Sequence, residues 1–252
     1  MPITLPIADF PVKVTTQKEL ATFLLTALRN KQKVSLFFAN TNFIVQCRNL
    51  LEKMRDRSVT IVNDGVGMDL AAALVHGRRF KENLNGTDFT PFLFRTSSMP
   101  LRVYMIGGKP EVLAKASEHV HQRLSQRVVG VCDGYDGIKN TSDLIAHINQ
   151  ARPDVVLVAL GNPVQEQWIL EHRASLDAGL VMAVGALFDF WAGDKPRAPK
   201  LVQKLRLEWL YRLAHEPRRL MRRYTVDILI FFSHCYRYRG FSKAVVQRSN
   251  TF

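Results

Sequence analysis

The chain has 252 residues, 47% of them hydrophobic and 23% charged, enough to bury a sizeable core without disulfide support. Cys47, Cys132 and Cys235 are odd in number and lack CxxC or Cys/His ligand spacing, which argues against a zinc site and for a reducing compartment, by default the cytoplasm. The net charge of +13 is concentrated: from Lys195 onward 14 Lys/Arg face only Glu208, Glu216 and Asp227, so +11 sits in the tail and +2 in the first 194 residues. Such an excess implies an anionic partner, whether lipid headgroups, a phosphorylated substrate or nucleic acid.

The first ten residues carry two prolines, an aspartate and no basic n-region, so they do not read as a signal peptide. Thr16 with Glu19 three residues later is a capping-box signal for a helix to about residue 30. Residues 34–39 read as a buried strand, followed by Asn40-Thr41-Asn42 and a helix to about residue 57. A strand at 59–62 and a helix after Gly67 repeat the pattern. Residues 101–106 form a strand, Gly107-Gly108 a turn, and Pro110 opens a helix to about residue 126. A strand at 128–132 and a helix near 142–151 follow. Residues 154–160 are the clearest continuous apolar strand, Gly161-Asn162-Pro163 starts another helix, and 180–184 is the last strand.

Strands alternating with helices of this length predict a mostly parallel sheet with helices on both faces, a Rossmann-like α/β fold. The composition shifts near Asp194, which predicts a catalytic domain over 1–194 and a basic helical, membrane-associating appendage over 195–252. The longest apolar run, 226–232, is far short of the ~20 residues that span a bilayer.

Four strand ends carry polar or glycine-rich turns: Asn40-Thr41-Asn42, Asn63-Asp64-Gly65, Gly107-Gly108-Lys109 and Gly161-Asn162-Pro163. In a parallel sheet these converge on one edge, where open α/β folds bind ligands, and this gathers Asn42, Asp64, Gly107 and Gln165 around one cleft. Asp64 is the candidate reactive group. The competing reading is turn chemistry alone, with Gly65 at positive φ and the aspartate making an Asx-type bond. Gly107-Gly108 ahead of a proline-initiated helix offers N–H groups to a phosphate. It is not GxGxxG, no P-loop is present, and Asp133-Gly134-Tyr135-Asp136 is not the Asp-x-Asp that holds a divalent ion beside a sugar-nucleotide diphosphate. Neither a metal nor a cofactor is expected.

Arg212, Arg219 and Arg222 fall at i, i+7 and i+10, within about a quarter-turn of one helix face. Pro217 interrupts that helix, and a solvated basic face competes with a site role. Trp209, Tyr211, Tyr224, Phe231 and Phe232 among these arginines give the aromatic content of an interfacial segment.

The ordered blocks Asn63-Asp-Gly-Val-Gly67, Asn85-Gly-Thr-Asp88, Ile106-Gly-Gly-Lys-Pro110, Asp133-Gly-Tyr135, Leu160-Gly-Asn-Pro-Val-Gln-Glu166 and Val184-Gly-Ala-Leu-Phe-Asp189 resemble the WecG/TagA/CpsF glycosyltransferases. The tail adds Arg197-Ala-Pro199, Leu207-Glu-Trp-Leu-Tyr-Arg-Leu213 and Glu216-Pro-Arg-Arg219, so the resemblance covers about residues 10–225. It implies a metal-independent, inverting enzyme that extends lipid-linked sugars for surface polysaccharides, without cofactor. The donor is then a UDP-sugar and the acceptor a polyprenyl (undecaprenyl) diphosphate-linked sugar. The enzyme is expected as a peripheral protein on an anionic membrane surface, the cytoplasmic face of the bacterial inner membrane, with no nucleic-acid partner.

By motif, the resemblance puts the catalytic aspartate on Asp64, the pocket asparagine on Asn42 and the glutamine on Gln165. Arg212, Arg219 and Arg222 complete the site over the diphosphate. Where family members carry Thr-x-Asn, this chain has Asn40-Thr41-Asn42, so the expected binding set is Asn40, Asn42, Gly107, Gly108, Gln165, Arg212, Arg219 and Arg222. The Asn-Asp-Gly and Asn-Leu-Asn-Gly-Thr-Asp-Phe spellings are closer to the exopolysaccharide, GumM-like branch, which favours UDP-glucose over UDP-ManNAc or its uronic acid. A Rossmann-type oxidoreductase and a nucleic-acid binder acting through the basic tail are the alternatives.

Overall fold

The apolar runs of the sequence become strands of one sheet in the computed structural model, which describes residues 3–238, the side chains of Lys204 and Arg219 excepted. A hairpin of β1 (Thr4–Ile7) and β2 (Phe10–Lys13) leads into α1 (Gln17–Arg29) and β3 (Val34–Ala39). Next come α2 (Thr41–Gln46), a 3-10 turn at Arg48–Leu50, α3 (Leu51–Met54), β4 (Val59–Asn63), α4 (Val66–His76) and α5 (Gly86–Thr96). The second half runs β5 (Arg102–Gly107), α6 (Pro110–Leu124), β6 (Arg127–Cys132), α7 (Thr141–Ala151), β7 (Val155–Ala159), α8 (Val164–His172) and β8 (Leu180–Ala183). The tail is helical, with α9 (Leu187–Trp191), α10 (Lys200–Lys204), α11 (Glu208–His215), α12 (Pro217–Tyr224) and α13 (Val226–Arg237).

The strand order is β1-β2-β4-β3-β8-β7-β5-β6, antiparallel only between β1 and β2. Strand alternation divides the core between the two faces. Leu36 and Phe38 of β3, with Val155 and Leu157 of β7, pack against α1, α5, α6 and α9. Phe37 and Ala39, with Val156 and Val158, face α2, α4, α7 and α8 on the other side. The pairings Ala39↔Asn63, Val158↔Ala183 and Gly107↔Ala159 align the strand ends, so the loops after β3, β4, β5, β7 and β8 share one rim.

Several sequence expectations need correction. The helix expected from Asn42 to about residue 57 is three short pieces, and the one expected after Gly67 already starts at Val66. Two elements escaped the patterning. The β1–β2 hairpin turns at Ala8 and Asp9, both at positive φ (46° and 69°), the geometry of a turn normally signalled by Asn-Gly; Pro6 is tolerable because β1 is an edge strand, and Pro11 because the pairing of β2 with β4 starts only at Val12. In α5, Asn85 caps through Asp88, but Pro91 inside the helix reads as a breaker.

The apolar run at 226–232 is also not simply an interfacial segment. Phe231 and Cys235 of α13 are buried in the same cluster as Phe43 of α2, and the ring of Tyr238 stacks under Arg48 with 4.0 Å to its centroid. α13 is therefore part of the α/β core, whereas Leu229, 73% exposed, faces outward.

Candidate active site

Asp64 is placed by its neighbours in sequence. Its backbone N–H still donates to Ala39 O at 2.7 Å, extending the β3–β4 ladder by one bond, and the chain then turns at Gly65 (φ 93°) into α4. The turn is held by Asn83, whose Oδ1 accepts from Gly65 N, and by Asn63, whose Nδ2 donates to Glu82 O at 2.8 Å. Gly67 sits at a close approach of the loops after β3 and β4: a Cβ there would lie 2.4 Å from Thr41 Cγ2, so any larger residue would have to displace the Thr41 side chain.

That approach brings Asn40 to Asp64. Asn40 caps α2, its Oδ1 accepting from Phe43 N at 3.0 Å, and this orients its Nδ2 to donate to Asp64 Oδ2 at 3.4 Å. Asn42, two residues on, is half-buried in the first turn of α2. The asparagine that meets the carboxylate is thus Asn40.

The tail closes over the same carboxylate. Burial pushes the Asp64 carboxyl above its ordinary pKa; the Arg212 guanidinium, the Asn40 amide and the Arg223 charge pull it back down, and Glu208 adds a smaller upward push. Arg212 lies over the Phe190 ring, 5.3 Å from its centroid, and helps line a small cavity of about 50 Å³ with Ala186, Phe190, Tyr211 and Arg223. Arg222 does not join them. It is largely exposed and turns to Asp227 at 3.9 Å, because Pro217 starts a new helix whose phase is independent of α11. Arg223 takes the place expected of it, and the side chain of Arg219 lies outside the described residues.

Gln165 is buried between the loops after β7 and β8. Its Oε1 accepts from Gly161 N at 3.2 Å and Gly185 N at 3.1 Å, and its Nε2 donates to Glu166 Oε1 at 2.7 Å. It therefore ties these two loops together, and Ala186, next to Gly185, lines the same cavity as Arg212. Glu166 also accepts from Asn162 at 2.6 Å, and burial raises its pKa to about 7. Gly107, expected to free backbone for a phosphate, is required by packing as well: a Cβ would sit 2.3 Å from Ala159 O. Gly108, at φ 74°, follows it into α6.

No three His, Cys, Asp or Glu side chains among the described residues group as a metal-ligand set. Asp133 instead accepts the N–H groups of Tyr135, Asp136 and Gly137, which hold it below its ordinary pKa. All three cysteines are free and buried, and burial pushes Cys132 to about 11 and Cys235 to about 12. A wider cavity of about 440 Å³, lined by Tyr104, Cys132, Asp133, Asp143 and His147, lies by the ends of β5 and β6, four strands away from Asp64.

Of the site, Arg223, Glu208 and Asn83 were not found from the sequence. Arg223 adjoins Arg222 in a basic run, and nothing in that run says which arginine turns inward.

A mostly parallel sheet with a carboxylate at its carboxyl rim, close enough to Arg212 and Arg223 to feel their charges, is a Rossmann-like α/β fold with a charged cluster where such folds bind ligands. The chain belongs to the glycosyl transferase WecG/TagA/CpsF family, whose model matches residues 5–244. It is therefore a glycosyltransferase of surface-polysaccharide synthesis, a family that uses a nucleotide-sugar donor and a lipid-linked acceptor, which decides against the oxidoreductase alternative.

Proposed function

We propose that the protein transfers a hexose from a UDP-sugar, UDP-glucose in preference to UDP-ManNAc or its uronic acid, to a sugar carried on undecaprenyl diphosphate, as an exopolysaccharide enzyme. Asp64 takes the proton from the acceptor hydroxyl while that oxygen attacks the anomeric carbon from the face opposite UDP. The bond from that carbon to the diphosphate oxygen breaks, and the configuration inverts. A base buried enough to have its pKa raised keeps more basicity than a solvated carboxylate. The leaving diphosphate gains negative charge, and Arg212 and Arg223 meet it without a metal, since a guanidinium binds phosphate oxygens in pairs.

The observation that carries this reading is the grouping of Asp64, Asn40 and Arg212 at one strand end. Gln165 and Asn42 serve as supports of the same rim, and Gly107 with Gly108 backs the donor phosphates. The enzyme works as a peripheral protein at the cytoplasmic face of the inner membrane. No helix among the described residues is long and apolar enough to cross a bilayer, while Leu201, Leu205, Met221 and Leu229 are exposed beside Lys200, Arg218 and Arg222.

The test is UDP release from a panel of UDP-sugars with a short-chain lipid-diphosphate-sugar acceptor. Asp64→Asn keeps the shape and removes the base, so turnover falls by about 10²-fold or more. A folded Asp64→Asn protein with near wild-type turnover would sink the assignment.

A further inference from the structure

A second carboxylate on α4 is buried and only half-partnered. The Asp69 side chain is 6% exposed; its Oδ2 accepts from Arg206 Nη1 at 2.7 Å, and its Oδ1 has no hydrogen-bond partner. Arg206 lies in the turn between α10 and α11 with its side chain about half exposed and its backbone at φ 59°. That is the left-handed region, which an L-residue enters at a cost and glycine does not. An arginine thus occupies a backbone position suited to glycine, and its guanidinium ends on a buried carboxylate of the helix that follows the reactive Asp64.

The geometry is a second bridge between the same two segments. Asp69 is five residues beyond Asp64, and Arg206 is six residues before Arg212. Upstream, Lys195 pairs with Asp189 at 3.0 Å and Arg197 with Asp88, which ties the chain to α9 and α5 before α10 begins. Downstream, Trp209 packs edge-on against Tyr224, joining α11 to α12. Neither contact fixes the start of α11 relative to α4.

We infer that the Asp69–Arg206 ion pair is a positioning contact that seats α11 on α4 and so holds Arg212 within reach of Asp64, a role that rests on the proposed function of Asp64. The pair favours the closed arrangement because opening it leaves a carboxylate buried without its cation, which costs more than the pair gains when formed. Asp69 and Arg206 touch no substrate in this role; they act through Arg212.

The experiment compares full-length wild type, Arg206→Gly and Asp69→Asn by amide hydrogen exchange and by UDP release over a pH series. Arg206→Gly removes the guanidinium and suits the left-handed backbone, which offsets part of the cost of unpairing Asp69, and Asp69→Asn removes the buried charge itself, so the test does not hang on one variant. Exchange within 208–215 is expected to accelerate about fivefold or more in either variant. Exchange in β3 and β4 stays unchanged, and the double variant adds nothing further. UDP release falls in both, and its acid limb moves to higher pH as Asp64 loses part of its cationic neighbour.

Wild-type exchange over 208–215 in Arg206→Gly overturns the inference. Faster exchange there with an unmoved rate and pH profile overturns the positioning role too, leaving only a structural tie. Failure of the Asp64 reading is separately visible: it shows as near wild-type UDP release in Asp64→Asn, a variant that keeps the Asp69–Arg206 pair.

Discussion

Asp64 is tuned by opposing influences: burial raises its pKa, while Arg212, Asn40 and Arg223 lower it. Removing Arg212 leaves burial less opposed, so the folded-state pKa rises further and Asp64 stays protonated, hence inactive as a base, over more of the acid range. Arg212→Gln is therefore expected to move the acid limb of kcat/KM to higher pH, and to lower kcat at the plateau because the leaving diphosphate loses a partner. A limb that stays in place would separate Arg212 from Asp64. Excess EDTA should leave turnover unaffected, since the cationic partners are arginines; activity lost to EDTA and restored by Mg²⁺ would give Asp133 or Asp136 the metal role denied to it here.

Glu166 makes a second prediction of the same kind. Its pKa rises from an ordinary 4.5 to about 7 in the fold because the ionised form is buried. The folded protein then holds a proton that the unfolded chain releases, so this contribution to stability is full below pH 4.5 and is lost as pH rises through 7. The loss amounts to about 3 kcal/mol. Glu166→Gln keeps the acceptor for Gln165 and Asn162 and cannot ionise, so urea unfolding at pH 5 and pH 8 should differ less than in wild type. An unchanged slope would place the titration elsewhere.

At the scale of elements, the site depends on two loops that pack closely where Gly67 meets the Thr41 side chain. Gly67→Ala should push Thr41, and with it the cap residue Asn40, off Asp64, costing about 1–3 kcal/mol of stability. Thr41→Ser removes the clashing Cγ2 and should restore both stability and turnover; failure to rescue would mean that the strain lies in the backbone of α4. The docking of α13 is tested by Phe231→Ala, a fully buried ring whose loss costs about 3–5 kcal/mol. Leu229→Ala on the exposed side of the same helix should stay within about 0.5 kcal/mol. Equal unfolding temperatures for the two variants would contradict the placement of α13 in the core.

For the molecule as a whole, the +11 of the tail is partly answered from within. Lys195 meets Asp189 and Glu216, Arg197 meets Asp88, and Arg206 meets Asp69, while Lys200, Arg218 and Arg237 stay exposed. Cutting the tail at Lys200 would remove Phe231 from the core as well as charge from the surface, so surface substitutions make the cleaner membrane test. Juxtamembrane cations contribute about 1 kcal/mol each, so Lys200→Glu, Arg218→Glu and Arg237→Glu together should weaken sedimentation with anionic vesicles on the order of 10²-fold. Binding to zwitterionic vesicles should change little, and an unaltered anionic affinity would assign the charge a purely internal role.

The sequence by itself determined the sheet and the place of the Asp64 carboxylate on its rim. Continuous apolar runs of four to six residues, bounded by turn signals and alternating with helical segments, fit strands buried on both faces, and a turn at the end of such a strand lies on the sheet's rim, so the rim position of Asp64 and the convergence of the loops followed. Capping at Thr16 and the proline start of α6 were equally local, and equally legible. What only the tertiary structure decided are the partners. That Asn40 rather than Asn42 meets Asp64, that Arg223 rather than Arg222 turns inward, that Gln165 braces two loops, and that Phe231 belongs to the core each depend on segments distant in sequence. Period and propensity describe one segment at a time, whereas the phase of one helix against another is set by which side chains fit when the chain closes on itself.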